Sequence, residues 1–244
     1  MTDNIYEPKG PALEYCRLAM NHYKSCPHGC VYCYAPPCLH KKRESFHGYL
    51  DMAKDWLERT RKSAAKMQKN GDPGPVHLCF ASDPYQPAEK NLLATRQVLE
   101  IFKDHGIWAQ ILTKASSWGL ERDMDLLKAT RARWGATLTT DDPEESRQWE
   151  PGASLPDERI KGLKLAKDAG LTTWVSLEPV ISPDAVYRLI AQTHTFVDEY
   201  KVGKLNRHKH AKTIDWPLFR ARVVQVLEYF GAKFFIKKDL MEAK

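Results

Sequence analysis

Three cysteines fall within eight residues, in the run Cys26-Pro-His-Gly-Cys30-Val-Tyr-Cys33. Thiolates are soft ligands that suit iron–sulfur clusters and zinc. Gaps of three and two residues let one short loop wrap a single centre. Three ligands in place of four leave one iron of a cubane open. A reactive centre needs an open coordination position, whereas a structural one is closed. Zinc is the alternative, with His28, Cys38 or His40 as a fourth ligand. The paired Cys-x2-Cys units or distant Cys/His pair of zinc ribbons are not present in clean form. Cys16, Cys38 and Cys79 are scattered without a spacing rule, so no second cluster is expected.

Polar residues recur where apolar, β-rich runs end. Ser82 and Asp83 follow Val76 to Ala81, and Thr113 and Lys114 follow Trp108 to Leu112. Thr139 and Thr140 end the run from Ala136, and Glu178 follows Thr172 to Leu177. In α/β barrels the ends of parallel strands point into the active-site mouth, so these groups would converge on one opening. Any one of them is equally explained by the polar turns that end most strands; the series as a whole favours a site. Glu150 and Glu178, each followed by proline, are placed at the same mouth.

The elements that must position these groups alternate. Further strands are expected at Leu18 to Tyr23, Thr195 to Val202 and Lys233 to Ile236. Helical patterns run from 49 to 69, 88 to 105, 120 to 131, 156 to 169, 183 to 192 and 216 to 230. Gly106, Gly170 and Gly231 act as stop signals. This βαβα rhythm predicts an α/β fold with parallel strands and helices outside, as a partial barrel of six or seven repeats. The longest stretches without periodicity are 141–154 and 203–213. One domain is expected over 1–244, its core at 18–202, with a helix and strand within 213–240 closing the barrel.

The composition agrees. A chain of 244 residues that is 43% hydrophobic can bury a real core, and 28% charged residues exclude neither folding nor solubility. The start MTDNIYEPKG lacks a basic-then-apolar signal, and no apolar run reaches bilayer length, so a soluble, cytoplasmic protein without membrane partners is expected. A net charge of +6 fits an anionic partner such as nucleic acid, and many ordinary enzymes as well. The run from Lys201 to Lys212 is densely basic, and Lys201, Lys204, Arg207 and Lys209 are candidate phosphate contacts, with Lys41, Lys42 and Arg43 near the cysteine loop. A solvated surface loop is the plainer explanation of such a run. Neither a Walker phosphate loop nor a glycine-rich dinucleotide fingerprint is present.

The Cys-x3-Cys-x2-Cys loop after a first strand, with aromatic Tyr32 before its last cysteine, resembles the radical S-adenosylmethionine (radical SAM) superfamily. The likeness extends further. Cys26-Pro-His-Gly-Cys-Val-Tyr-Cys-Tyr-Ala and Ser82-Asp-Pro-Tyr-Gln-Pro-Ala-Glu89 look like the group related to spore photoproduct lyase, often labelled DNA-repair photolyase-like. Thr95-Arg96, Leu112-Thr-Lys-Ala-Ser116, Arg122-Asp-Met-Asp-Leu-Leu127 and Glu150-Pro-Gly-Ala153 followed by Arg159 continue it, over roughly Asn21 to Glu178. The resemblance implies a partial barrel of (βα)6 type and a 4Fe–4S cluster on Cys26, Cys30 and Cys33. S-adenosylmethionine would chelate the open iron and be reductively cleaved to a 5′-deoxyadenosyl radical that abstracts a substrate hydrogen. It places Ser82 and Asp83 near the methionine part of the cofactor and Lys114 on its carboxylate. Thr139 and Thr140 fall near the ribose, and Tyr34 after the loop packs over the cofactor. Tyr32, within the loop, and Glu178, whose place at the mouth suits a cofactor hydroxyl or a loop cap, are counted with the cofactor-binding candidates. The implied substrate is nucleic acid, through lesion repair or base modification, with a reductase or flavodoxin-type electron donor. A peptide or metabolite substrate, or a non-catalytic zinc module, are the alternatives. The lyase uses a cysteine near its second strand to return a hydrogen atom, which makes Cys79 a candidate catalytic thiol. Cys79 lies three residues before Ser82, within the expected strand, and there it also reads as a buried small hydrophobe.

Overall fold

Short apolar runs rich in Val, Ile, Leu and Trp, buried on both faces, form strands because helices stand between them to cover the sheet. The computed structural model describes residues 3–243. It runs β1 (Ile5–Tyr6), a 3₁₀ turn (Gly10–Glu14), β2 (Leu18–Met20), α1 (Ala35–Cys38), α2 (Arg43–Gly48), α3 (Trp56–Lys69) and β3 (Val76–Leu78). Next come α4 (Glu89–Leu92), α5 (Ala94–Asp104), β4 (Ala109–Thr113), α6 (Trp118–Ala129), β5 (Arg133–Thr137), α7 (Pro143–Trp149), α8 (Pro156–Asp168) and β6 (Thr172–Val180). The chain ends with α9 (Pro183–Thr193), β7 (Glu199–Lys204), a second 3₁₀ turn (Lys209–Thr213), α10 (Trp216–Tyr229), β8 (Phe234–Ile236) and α11 (Lys238–Met241).

The strands lie in sequence order, β1 to β8, each paired with the next. All pairs are parallel except β1 with β2. This is the expected partial barrel, lengthened by one antiparallel strand. The expected closure by the C-terminal helix and strand takes a different form. β8 extends the sheet beyond β7 and does not pair with β1, so the barrel stays open. One buried cluster runs from Ile5 through the strands to Leu240. No helix among the described residues is long and apolar enough to cross a membrane.

The open barrel is filled from the N-terminal lead. The Tyr15 ring packs against His77, Phe80 and Trp174, three residues of the barrel interior. Gln110 Nε2 donates to the Tyr15 carbonyl at 3.0 Å. Lys201 donates its ammonium to the Glu14 carbonyl at 2.5 Å and is 7% exposed. Lys201 therefore belongs to the interior and not to a substrate-facing rim. The basic run begins inside β7, and the strand's alternation turns this residue inward.

Three segments differ from expectation. The helix expected from residue 49 starts at Trp56, because 49–55 returns along the cysteine loop; Lys24 N donates to Asp51 O and Ala53 N to His22 O. The helix over 88–105 is broken at Leu93, whose φ is 52°. The stretch 141–154 contains α7, capped by Asp142, whose carboxylate accepts from Glu144 N and Glu145 N with Pro143 in the first turn. Asp-Pro-Glu-Glu is a readable helix start, but the helix it opens is too short to show a period.

Burial drives the His22 and His77 imidazoles from 6.5 down to about 3, with Lys201 adding to the effect at His77. The unfolded chain therefore binds protons that the folded chain refuses, and stability is lost as pH falls from 6.5 toward 3. The limiting slope is about 1.4 kcal/mol per pH unit for each histidine. Denaturant midpoints measured from pH 7 to pH 4 should fall, and less steeply for His77→Gln. Equal slopes in wild type and variant would contradict the assignment.

Candidate active site

The cysteine loop follows β2 at the carboxyl ends of the strands and is held by contacts from several segments. Val31 N donates to Trp149 O at 2.8 Å, and Gly152 N to His28 O at 2.8 Å. Arg43 donates to Cys30 O at 2.7 Å and to Cys33 O at 3.2 Å. His47 Nδ1 donates to Cys26 O at 2.7 Å. Gly152 allows the close approach: a Cβ there would stand 2.7 Å from Pro27 O and 2.8 Å from His28 Cα. With these carbonyls fixed, the loop that carries the three thiols is held in place. Burial first, then Asp83, Cys30 and Cys33, push the Cys26 thiol up. Burial raises Cys30 to about 11.

Among the described residues no three Cys, His, Asp or Glu side chains already form a metal cage. The donor chemistry nevertheless fits a cluster: three neighbouring thiols on a braced loop, which a soft metal centre would bind as thiolates against the burial that favours their neutral form. His28 stands with Nδ1 3.6 Å from the Asp83 carboxylate.

Behind the loop lies a buried ion pair. The Tyr32 hydroxyl donates to Glu150 Oε1. Glu150 Oε2 and Arg159 Nη2 stand 2.6 Å apart, close as charges but not aligned as a hydrogen bond. Each residue is 1% exposed. Arg159 also donates to Ser154 O and Thr137 O, which ties the pair to the end of β5. Burial works against the Glu150 carboxylate, but Arg159, Lys114 and Tyr32 outweigh it and hold its carboxyl below the usual range.

Lys114 follows β4 directly and lies beside this pair. Its ammonium is 5.8 Å from the Tyr32 ring centre and makes no hydrogen bond or ion pair among the described residues. Burial opposes its charge, yet Cys30 and Glu150 overcome this and raise its pKa. It is a half-buried cation next to the cysteine loop with hydrogen-bonding capacity left over.

The Ser82–Glu89 motif proves mostly internal. Asp83 Oδ1 accepts from Tyr85 N at 2.8 Å and Thr113 Oγ1 at 2.7 Å, and Oδ2 from Lys114 N at 2.7 Å. It thus joins the ends of β3 and β4. Ser82 Oγ donates weakly to Tyr23 O at 3.4 Å. Glu89, fully buried, accepts from Tyr23, Thr95 N and Arg122. Arg122 and Arg96 meet Asp123, which also takes the Tyr85 hydroxyl.

The remaining predicted site residues separate into two sets. Thr139 is buried at the mouth with its hydroxyl unpartnered. Tyr34 is 55% exposed, its hydroxyl donating to Phe80 O at 2.6 Å. Glu178 lies inside β6, which is longer than expected, with its side chain 20% exposed. Thr140, by contrast, is spent on the α7 turn, donating to Glu145 and accepting from Asp142 N. Cys79 sits just past β3 at φ 67°, buried with Tyr23 and Ala94, its sulfur 3.4 Å from His22 Nδ1. Burial pushes its thiol up to about 12. Arg43, grouped by its charge with the candidate phosphate contacts, is instead committed to the carbonyls of the cysteine loop.

Removing Arg159 would leave a buried carboxylate alone. Arg159→Leu should cost roughly 3–5 kcal/mol of stability by denaturant unfolding. An unchanged midpoint would contradict the bracing role. Gly152→Ala should leave the circular dichroism native while lowering iron bound on anaerobic reconstitution; full iron loading would show that the loop tolerates displacement.

The radical SAM superfamily model matches residues 20–195. An uncharacterized protein of Methanocaldococcus jannaschii is 27% identical over 205 residues, covering 83% of this chain and 74% of its own. An uncharacterized protein of Mycobacterium tuberculosis is 28% identical over 182 residues, and the match spans 71% of this chain but only 52% of that relative. Spore photoproduct lyase has a similar fold, with a TM-score of 0.75 at 14% identity over 97% of this chain and 80% of that one. Streptococcus suis SuiB bound to S-adenosylmethionine gives 0.64 at 13% identity, over 90% of this chain and 49% of that one. With the family model spanning most of its length, this chain belongs to the radical SAM superfamily, enzymes that work with a 4Fe–4S cluster and S-adenosylmethionine.

Proposed function

We propose that Cys26, Cys30 and Cys33 hold the 4Fe–4S cluster, that Lys114 binds the carboxylate of S-adenosylmethionine, and that the enzyme acts on nucleic acid. The observation that carries the cofactor reading is Lys114. A half-buried ammonium without a hydrogen-bond partner, beside the loop that would hold the cluster, suits a compact anion such as an amino-acid carboxylate. When bound, cluster and cofactor supply a one-electron reductive cleavage that generates the hydrogen-abstracting radical. The chain's own part is to bind, orient and exclude water. The unpartnered Thr139 hydroxyl, just past β5, and the Glu178 carboxylate, on the neighbouring β6, are suited to ribose hydroxyls. Tyr32 and Tyr34 wall the loop side. Asp83 fixes the Lys114 backbone and acts by positioning. Cys79, enclosed and held protonated, is assigned to packing.

For the substrate, the support is the exposed basic segment after β7. Arg207 and Lys209 are exposed and make no ion pair among the described residues, while Lys204 lies over the Trp216 ring at 5.5 Å. Lys41 and Arg43 are committed to Asp51 and to the cysteine loop. A solved spore photoproduct lyase with a dinucleoside spore photoproduct lends the same direction, and SuiB bound to a precursor peptide shows that the fold alone does not choose. The electron donor is a flavodoxin-type protein or reductase, consistent with a reducing, cytoplasmic setting for six free cysteines.

Lys114→Ala should retain iron and weaken S-adenosylmethionine binding by roughly tenfold or more, a loss of at least about 1.4 kcal/mol. Unchanged affinity would remove Lys114 from the site. Oligonucleotide binding should weaken with salt, and the Arg207→Ala/Lys209→Ala pair should lower the log–log salt slope by about 2. If neither DNA nor RNA binds or stimulates cofactor cleavage, the nucleic-acid reading fails and a peptide or metabolite takes its place.

A further inference from the structure

Glu178 is gripped from both ends of the chain. Lys237, between β8 and α11, donates to Oε1 and Oε2 at 2.8 Å each. The Tyr15 hydroxyl, from the N-terminal lead, donates to Oε2 and stands 2.8 Å from Ser176 Oγ. The Lys237 ammonium also lies 4.7 Å from the centre of the Tyr15 ring and 3.7 Å from Glu14 Oε2. Glu14 in turn accepts from Lys238 N at 2.8 Å. Gly203 on β7 makes the space: a Cβ there would come within 2.7 Å of Glu178 Cδ and 2.9 Å of Lys237 Cδ.

A free carboxylate on a strand end rotates and is hydrated. Here three donated hydrogen bonds fix both oxygens, and Lys237 is nearly excluded from water, its side chain 5% exposed against 20% for Glu178. A carboxylate has about four acceptor positions. Three are filled by Lys237 and Tyr15, which leaves about one acceptor position on a side chain that is still 20% exposed. We propose that Lys237 and Tyr15 are positioning residues that lock Glu178 as a single fixed acceptor for a hydroxyl-bearing ligand at the mouth, a proposal that rests on the assignment of Glu178 to the cofactor pocket. The open edge of the barrel thus has a task. The N-terminal lead and the C-terminal segment meet there through side chains, in place of the missing β8–β1 pairing, and deliver the clamp.

The test is equilibrium binding of S-adenosylmethionine to the reconstituted, unreduced holoenzyme, where no turnover occurs. Glu178→Ala and Lys237→Met should each weaken binding by roughly tenfold, the scale on which outer-shell partners act. In the Glu178→Ala background, Lys237→Met should add nothing, because its effect passes through Glu178. If Lys237→Met weakens binding equally in both backgrounds, or in neither, the positioning role is overturned. If Lys237→Met does not fold, Tyr15→Phe takes its place in the same cycle, with a smaller effect that again vanishes without Glu178. The underlying assignment fails separately. Unchanged binding by Glu178→Ala, alongside weakened binding by Lys114→Ala, would put Glu178 outside the pocket and overturn both.

Discussion

An ion pair almost wholly removed from water, Glu150 with Arg159, sets where the cysteine loop stands relative to the strand ends. Charges buried this deeply must be paired, so the segments that carry them cannot drift apart without leaving one charge alone. Through Tyr32 the pair reaches the loop, and through Thr137 and Ser154 it reaches β5 and the start of α8. Burial opposes the charge on Lys114, and the Glu150 carboxylate beside it favours that charge. The loop, the cation and the strand ends are therefore one electrostatic unit. Assembling a cluster on the loop means removing protons from thiols that burial holds in the neutral form, and the nearby cation favours that removal at Cys30 and Cys33.

A second set of buried charges carries no ligand of its own. Asp83, Glu89 and Asp123 are met by backbone amides, tyrosine hydroxyls and the guanidinium groups of Arg96 and Arg122. Together they lock the turn after β3 to the end of β4 and to α6. A motif that looks like a binding signature is thus largely the frame that holds Lys114 in place. The two roles are compatible, because a site built on strand ends is only as exact as the network behind it.

Much of this was legible in the residues themselves. The cysteine spacing pointed to a candidate donor set, and the alternation of apolar runs gave the parallel sheet. Lys114 and Thr139 fell at strand ends because the period of a strand is short and its end is abrupt. What stayed hidden depends on distance in sequence or on one extra residue of strand. Lys201 read as a rim cation because charge is visible in sequence and inward direction is not until the strand's bounds are known. Glu178 read as a turn residue because β6 continues through its proline. Tyr15 and Lys237 gave no signal, since the contacts that define them join residues 163 and 59 positions from Glu178. Arg43 braces the loop by side chain alone, ten and thirteen residues from the carbonyls it holds.

The central claim is that three thiolates hold a cluster with an open position that S-adenosylmethionine occupies. Electron paramagnetic resonance of the anaerobically reconstituted, reduced protein tests it most directly. The account predicts a reduced 4Fe–4S signal, absent in Cys30→Ala, whose shape changes when S-adenosylmethionine is added. A spectrum indifferent to the cofactor, or a colourless protein that takes up zinc in place of iron and sulfide, would contradict it.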